Sequence, residues 1–293
     1  MSELYFDRDF DVTPGEAVQV SPLVRRVLAG NPSPFTFKGT STFIVGRGQV
    51  AVIDPGPEDE RHFAALLKAI AGETVTHIFV THSHADHSPL ARRLRQATGA
   101  RTYGQGAVTP GGEAGLRLDS AIDHAFVPDV LLADGDAVTG PDWTLEALFT
   151  PGHMSNHMCF ALKEEQALFS GDHVMAWATS VIAPPDGDMA DYFASLRKLL
   201  GRDEQVYHPG HGPSRRDPQP LVRGYLAHRR MREEAIRARV EQGARTVKEI
   251  VAAIYADVDP RLHAAAALST TAHLRHLVAQ GRLRHAEGVY EAI

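Results

Sequence analysis

A chain of 293 residues with 43% apolar and 23% charged content is long enough for one large globular domain and a small second one. Its net charge of −6 excludes a chain-wide nucleic-acid footprint, and its single cysteine, Cys159, excludes an internal disulfide. No apolar run is long enough to span a bilayer, the N-terminus is acidic rather than signal-like, and the lone cysteine fits a reducing, cytoplasmic compartment.

In chain order, residues 40–45 and 50–53 are β-branched runs separated by Gly46-Arg47-Gly48-Gln49, which predicts a hairpin. Asp54-Pro55-Gly56-Pro57 is a turn cluster. Phe63, Leu66, Leu67 and Ile70 then recur at helical spacing, with Gly72 as the stop. A strand over 76–81 runs into His82-Ser83-His84-Ala85-Asp86-His87, six residues of which four can bind a divalent metal. In an extended segment alternate side chains share a side, so His82 and His84 can face one ion while Asp86 and His87 point elsewhere. Ser88 is read as the N-cap of the next helix, Pro89 as its first residue and Gly99 as its end.

Residues 104–128 are rich in glycine and form a long loop that can fold over a site. Asp134-Gly135-Asp136 is a turn between strands. A strand over 143–149 ends in Thr150-Pro151-Gly152-His153; strands over 158–162 and 167–169 follow, the latter ending in Ser170-Gly171-Asp172-His173. Residues 205–207 end in His208-Pro209-Gly210-His211-Gly212-Pro213. Three further strand ends thus carry a ligand-type residue beside glycine, which lets backbone approach a buried ion closely.

Residues 214–245 hold nine Arg against four acidic residues, a net of +5, on a helix whose apolar stripe includes Leu221, Val222, Tyr225, Leu226, Ile236 and Val240. That Arg face is either a surface for RNA phosphates or an acidic cofactor-bearing substrate, or a solvated face with local ion pairs, and the last is favoured. In the tail, Thr246-Val247-Lys248-Glu249 is a capping box, Ser269 is read as the cap of another helix ending at Gly281, and Leu283 and Val289-Tyr290 flank a short turn. Residues 246–293 carry no net charge, so duplex DNA is not an expected partner.

The motifs Thr81-His82-Ser83-His84-Ala85-Asp86-His87, Thr150-Pro151-Gly152-His153, Ser170-Gly171-Asp172 and Pro209-Gly210-His211-Gly212-Pro213, with the early turn Asp54-Pro55-Gly56, resemble those of the metallo-β-lactamase superfamily. Gly30-Asn31-Pro32, Gly39-Thr40-Ser41-Thr42-Phe43 and the stretch Pro184-Pro185-Asp186-Gly187-Asp188-Met189 look like its β-lactamase-like protein 2 branch, which carries a winged helix and includes endoribonucleases. The resemblance implies an α/β fold, a four-layer αββα sandwich with a C-terminal winged-helix subdomain. The corresponding parts are a catalytic domain over 1–213, a basic connecting helix over 214–245 and the winged helix over 246–293. It also implies two divalent metal ions, zinc foremost, with manganese or iron as alternatives. One ion would take His82, His84 and His153, the other Asp86, His87 and His211, with Asp172 bridging.

The activity implied is a metal-dependent hydrolase in which a metal-bound hydroxide attacks an ester, thioester, lactone or phosphodiester. The alternatives are an RNA-cleaving enzyme of the same fold and an iron-dependent oxidoreductase resembling sulfur dioxygenases. The partner is accordingly a small ester or thioester, or single-stranded RNA, and no membrane. Asp86 is expected to orient the nucleophile, and His157, four residues after His153, to face the substrate as acid or oxyanion donor. Asp54 is expected to hold the far nitrogen of a ligating His, and Cys159, in an apolar strand, to be inert.

Overall fold

The computed structural model describes residues 4–106, 108, 122–256 and 263–293. Seven strands form the first sheet, in spatial order β1 to β7: β1 (Ala17–Gln19), β2 (Val24–Leu28), β3 (Ser41–Val45), β4 (Gln49–Ile53), β5 (Thr74–Phe79), β6 (Arg101–Gly104) and β7 (Val130–Leu131). Strands β1 to β4 pair antiparallel and β4 to β7 pair parallel. Helix α1 (Glu60–Ala69) crosses from β4 to β5, and α2 (Leu90–Thr98) from β5 to β6. The second sheet runs β13-β12-β11-β10-β9-β8 and comprises β8 (Ala137–Thr139), β9 (Thr144–Phe149), β10 (Met158–Leu162), β11 (Ala167–Gly171), β12 (Val206–Pro209) and β13 (Arg215–Arg216). Its one parallel pair, β11 and β12, is linked through α3 (Met189–Leu200).

The period-two pattern of the central strands assigns each side chain to a layer. Phe43, Ile53, Phe79, Phe160 and Phe169 meet between the two sheets. Ile44, Val52 and Ile78, on the opposite face of the first sheet, pack against Leu66 of α1 and Leu94 of α2. Cys159, Ala161 and Leu168, on the outer face of the second sheet, pack against Tyr192 and Leu196 of α3 and Tyr225 of α4 (Gln219–Glu241). The result is the four-layer order αββα. Strands β3, β10 and β11 are buried throughout because both of their faces are covered.

The tail forms α5 (Val247–Ile254), α6 (His263–Ala279) and a hairpin of β14 (Leu283–Ala286) and β15 (Val289–Ala292), a winged-helix arrangement. Ile236 and Val240 of α4, Ile250, Leu274, Leu277 and Tyr290 form its core. Ala272 of α6 also joins the cluster around Tyr192 and Tyr225, so the tail packs on the larger domain. The capping box is present, with Thr246 accepting from Glu249 N and Glu249 accepting from Thr246 N.

Two helix starts differ from expectation. Helix α2 begins at Leu90, and Pro89 occupies the cap position without a side-chain bond. The reason is that Leu90 N finds an acceptor in Gly56 O at 3.1 Å. Ser88 Oγ instead donates to Asp123 Oδ2 at 2.9 Å. Ser269 lies inside α6 rather than at its start, because the helix already begins at His263. Gly99 does end α2, at a φ of 76°. Of the predicted loop at 104–128, residues 107 and 109–121 lie outside the described residues; its far end returns to the His cluster, where Asp123 N donates to Ser83 O at 2.7 Å.

Candidate metal centre

Two cross-sheet hydrogen bonds bring the strand ends together: Ser41 N donates to Gly210 O at 2.8 Å and Met158 N to Thr81 O at 2.7 Å. Within the first sheet, Gly56 N after β4 donates to His87 O after β5 at 2.9 Å. Thr40 and His211 form an isolated bridge between the sheets. The ends of β5, β9, β11 and β12 therefore open onto one place at the rim of the sandwich.

Two donor groups result: His82, His84, His153 and Asp172 in one, and Asp86, His87 and His211 in the other, with the candidate ligand atoms of each group within 4.8 Å of one another. In the first, His84 Nδ1 lies 2.9 Å from His82 Nε2 and 3.1 Å from His153 Nε2. In the second, Asp86 Oδ2 lies 3.3 Å from both His87 Nε2 and His211 Nε2. The Asp172 carboxylate stands between the groups: Oδ1 is 3.6 Å from His87 Nε2, and Oδ2 is 3.4 Å from His211 Nε2 and 3.7 Å from His153 Nε2.

Four of the five imidazoles have their tautomer fixed by the bond behind them. His153 Nδ1 donates to Val181 O at 2.6 Å and His211 Nδ1 to Gly39 O at 3.1 Å, since a carbonyl only accepts. His87 Nδ1 donates to Asp54 Oδ2 at 2.9 Å. Thr81 Oγ1 spends its proton on Asp54 Oδ2 at 2.7 Å and therefore accepts from His82 Nδ1 at 2.9 Å. In the neutral ring of each of the four, the proton sits on Nδ1 and Nε2 is the nitrogen that faces the donor group. Asp54 thus sets two imidazoles at once, and a carboxylate or carbonyl behind a ligating histidine is the usual support of a metal site.

The electrostatics separate the two groups. Burial pushes His84 down to about 3, and burial also lowers His82 and His153. These are neutral lone-pair donors. For His87 and His211 burial works the same way but is outweighed, by Asp86, Asp172 and Asp54 at His87 and by Asp172 and Asp86 at His211, which is raised to about 10. Burial would raise Asp86 and Asp172, yet the same histidines hold both below the ordinary carboxylate range. The second group therefore demands positive charge, which protons or a metal can supply. Buried His87 Nε2 and Asp172 Oδ1 have no hydrogen-bond partner although they face each other. A divalent cation between them satisfies both, so the donor set fits a pair of metal ions.

Glycine makes the close approach possible at two points. A Cβ on Gly210 would lie 2.6 Å from His87 Cε1 and 2.7 Å from Asp172 Oδ1. Gly171 has a φ of 47°, and its Cβ would lie 2.6 Å from His157 Nε2.

His157 is not where the sequence reading put it. It is fully buried beneath the site; its Nδ1 bonds Thr150 Oγ1 at 3.0 Å, and its Nε2 accepts from Asp172 N at 3.2 Å. With both nitrogens engaged, it supports the Asp172 backbone rather than facing a substrate. Cys159 is buried, and burial pushes its thiol up to about 12, which removes it as a nucleophile. Asp54 lies behind His87, as expected. Thr40, missed by sequence reasoning, donates from Oγ1 to Asp86 Oδ2 at 2.9 Å. The Gly39 and Val181 carbonyls were also missed, since main-chain acceptors leave no residue signature.

The arginines of α4 are largely committed. Arg229 is buried, Arg237 pairs with Glu234 and Glu241 on its own helix, Arg239 donates to Gln242, and Arg232 lies over the Tyr255 ring. Among the described residues, no helix is long and apolar enough to cross a membrane.

Comparison with known proteins agrees with this arrangement. Residues 35–211 match the family model described as metallo-beta-lactamase superfamily, and residues 246–290 the beta-lactamase associated winged helix domain. The chain is 30% identical over 254 residues to an atrochrysone carboxyl ACP thioesterase of Claviceps purpurea, covering 82% of this chain and 74% of that protein. It is 30% identical over 248 residues to a beta-lactamase-like protein 2 homolog of Caenorhabditis elegans, covering 82% and 78%. A solved beta-lactamase domain protein from Burkholderia ambifaria superimposes with a TM-score of 0.80 at 23% identity, over 98% of this chain and 97% of that one, which shows the shared fold. The first family match ends at His211, the last of the predicted metal-ligating residues, and the second takes in the helices and hairpin of the tail; the chain belongs to the metallo-beta-lactamase superfamily and is a hydrolase with a C-terminal winged helix.

Proposed function

We propose that this hydrolase cleaves small-molecule acyl thioesters at a dinuclear metal centre. The observation that carries the dinuclear reading is the Asp172 carboxylate, which stands between two complete donor groups. His82, His84 and His153 would hold one ion, Asp86, His87 and His211 the other, and Asp172 would be shared; zinc suits this N/O donor set, and manganese or iron are the alternatives. Bound there, such a pair supplies a water that ionises near neutral pH and positive charge to meet a developing oxyanion.

The chain's own residues do the rest. Asp86, one-quarter exposed and pinned by Thr40 Oγ1, is the carboxylate that orients the attacking water and carries its proton toward the leaving group. Asp54, Val181 O and Gly39 O keep the imidazoles in register, so little reorganisation is needed as charge develops. Thioesters are favoured as the substrate class because relatives covering over four-fifths of the chain are named as acyl-carrier-protein thioesterases. RNA is disfavoured by the commitment of the α4 arginines to packing and local pairs.

The test is a panel of acyl-coenzyme A and acyl-pantetheine thioesters, lactones, phosphodiesters and single-stranded RNA, assayed on metal-loaded protein. Release of free thiol from the thioesters, abolished in Asp86→Asn, is the expected result. Turnover of another class with thioesters untouched would reject the substrate assignment.

A further inference from the structure

The segment after Asp172 touches the candidate centre twice. At its start is the Asp172 carboxylate; at its end, Val181 O accepts from His153 Nδ1 at 2.6 Å. Between them the chain closes on itself through Ser180, whose Oγ lies 2.5 Å from Asp172 O and 2.9 Å from His173 O. His173 O also accepts from Tyr192 Oη at 2.8 Å.

One buried side chain holds both of these fastenings. Arg229 of α4 is 3% exposed; its Nη2 donates to Ser180 O, and its guanidinium lies 5.3 Å from the centroid of the Tyr192 ring. One turn earlier, Tyr225 Oη donates to Met175 O at 2.7 Å and accepts from Met175 N at 3.2 Å. A buried guanidinium is costly to desolvate, and a methionine would fill the same space without that cost. Packing alone therefore does not account for an arginine here. What it adds is a directed, charge-assisted bond to the carbonyl next to the residue that orients His153.

We propose that Arg229 is a positioning residue of the metal centre. It fixes residues 172–181 so that Asp172 and the Val181 carbonyl present their groups to the two donor sets together. It touches neither substrate nor metal. Because it lies on the helix that also forms the core of the winged-helix tail through Ile236 and Val240, it makes the centre depend on how that helix is seated. The inference rests on the dinuclear reading above and adds a residue to its support.

The experiment measures metal binding rather than turnover. Zinc affinity is determined by chelator competition and the visible spectrum is recorded with cobalt, for wild type, Arg229→Met, Arg229→Lys and Arg237→Ala. Arg229→Met should bind zinc at least about 10-fold more weakly and show an altered cobalt spectrum, the scale expected when support behind a ligand is lost. Arg229→Lys should recover part of the affinity, since an ammonium can still donate to Ser180 O. Arg237→Ala, on the exposed face of the same helix, should match wild type. An Arg229→Met protein that melts earlier but binds zinc with wild-type affinity and spectrum would overturn the proposal. If that variant does not fold, Arg229→Lys decides: weaker zinc binding with an altered cobalt spectrum supports the role, and wild-type affinity and spectrum reject it. Wild-type protein that takes up no metal would reject the dinuclear reading itself, and the role of Arg229 with it.

Discussion

Replacing Asp54 with Asn changes no volume and reverses the hydrogen-bond polarity behind His87. Asp54 Oδ1 accepts from Thr81 N at 2.7 Å, and Oδ2 accepts from Thr81 Oγ1 at 2.7 Å and His87 Nδ1 at 2.9 Å. An Asn has one acceptor oxygen. If that oxygen stays on Thr81 N, the new amide N–H faces His87 Nδ1 and moves the imidazole proton to Nε2. That nitrogen is the one aimed at Asp86 and Asp172, and once protonated it has no lone pair for a metal. The expected loss is about 10- to 100-fold in metal affinity, the range for removing a carboxylate behind a ligating histidine. In free energy this is about 1.4–2.7 kcal/mol. The backbone at residue 54 has a φ of 49°, a conformation Asn tolerates, so the fold should survive. The assay is chelator competition for affinity alongside kcat/KM, with circular dichroism to verify folding. Asp54→Asn protein that is folded and binds both ions as tightly as wild type would refute the reasoning.

Three further outcomes follow from the same geometry. Asp172→Ala should lower kcat/KM by at least about 100-fold in a thiol-release assay, because it removes the shared carboxylate; near-wild-type turnover would refute the bridge. Gly210→Ala should be destabilised by about 1–3 kcal/mol, since its methyl would sit 2.6 Å from His87 Cε1, and calorimetry should show a lower Tm together with weaker metal uptake. Metal affinity should rise with pH, because Asp172 and Asp86 outweigh burial and hold His211 at about 10, so its proton competes with metal below that value. By the same linkage, the raised His211 value stabilises the metal-free protein fully below the unfolded value of about 6.5, and that stability is lost as pH rises through about 10. Calorimetric pH titrations of metal-free and loaded protein check both signs, and a flat affinity between these limits would contradict them.

Much of the site was readable because the chemistry sits at strand ends. The His82–His87 cluster, His153, Asp172 and His211 each follow an apolar run and lie beside turn residues, and the period-two rule already separated His82 and His84 from Asp86 and His87. The hairpin of β3 and β4, helix α1 and the Gly99 stop followed from local pattern in the same way. What sequence could not supply was anything made by packing across sheets. His157 shares the spacing of an exposed partner on an adjacent turn, yet lies in the buried floor because Thr150 N pairs with its carbonyl and starts strand β10 there. Ser88 had the residue type of a cap, but Gly56 O, 32 positions earlier, had already taken the N–H that needed one. Thr40 and Arg229 act through groups distant in sequence, so no local motif marks them.

Metal stoichiometry and position test the dinuclear site most directly. Protein loaded with zinc and crystallised should show two anomalous peaks per chain, one among His82, His84 and His153, the other among Asp86, His87 and His211, with the Asp172 carboxylate between them. A single peak, or two peaks neither of which touches Asp172, would contradict it.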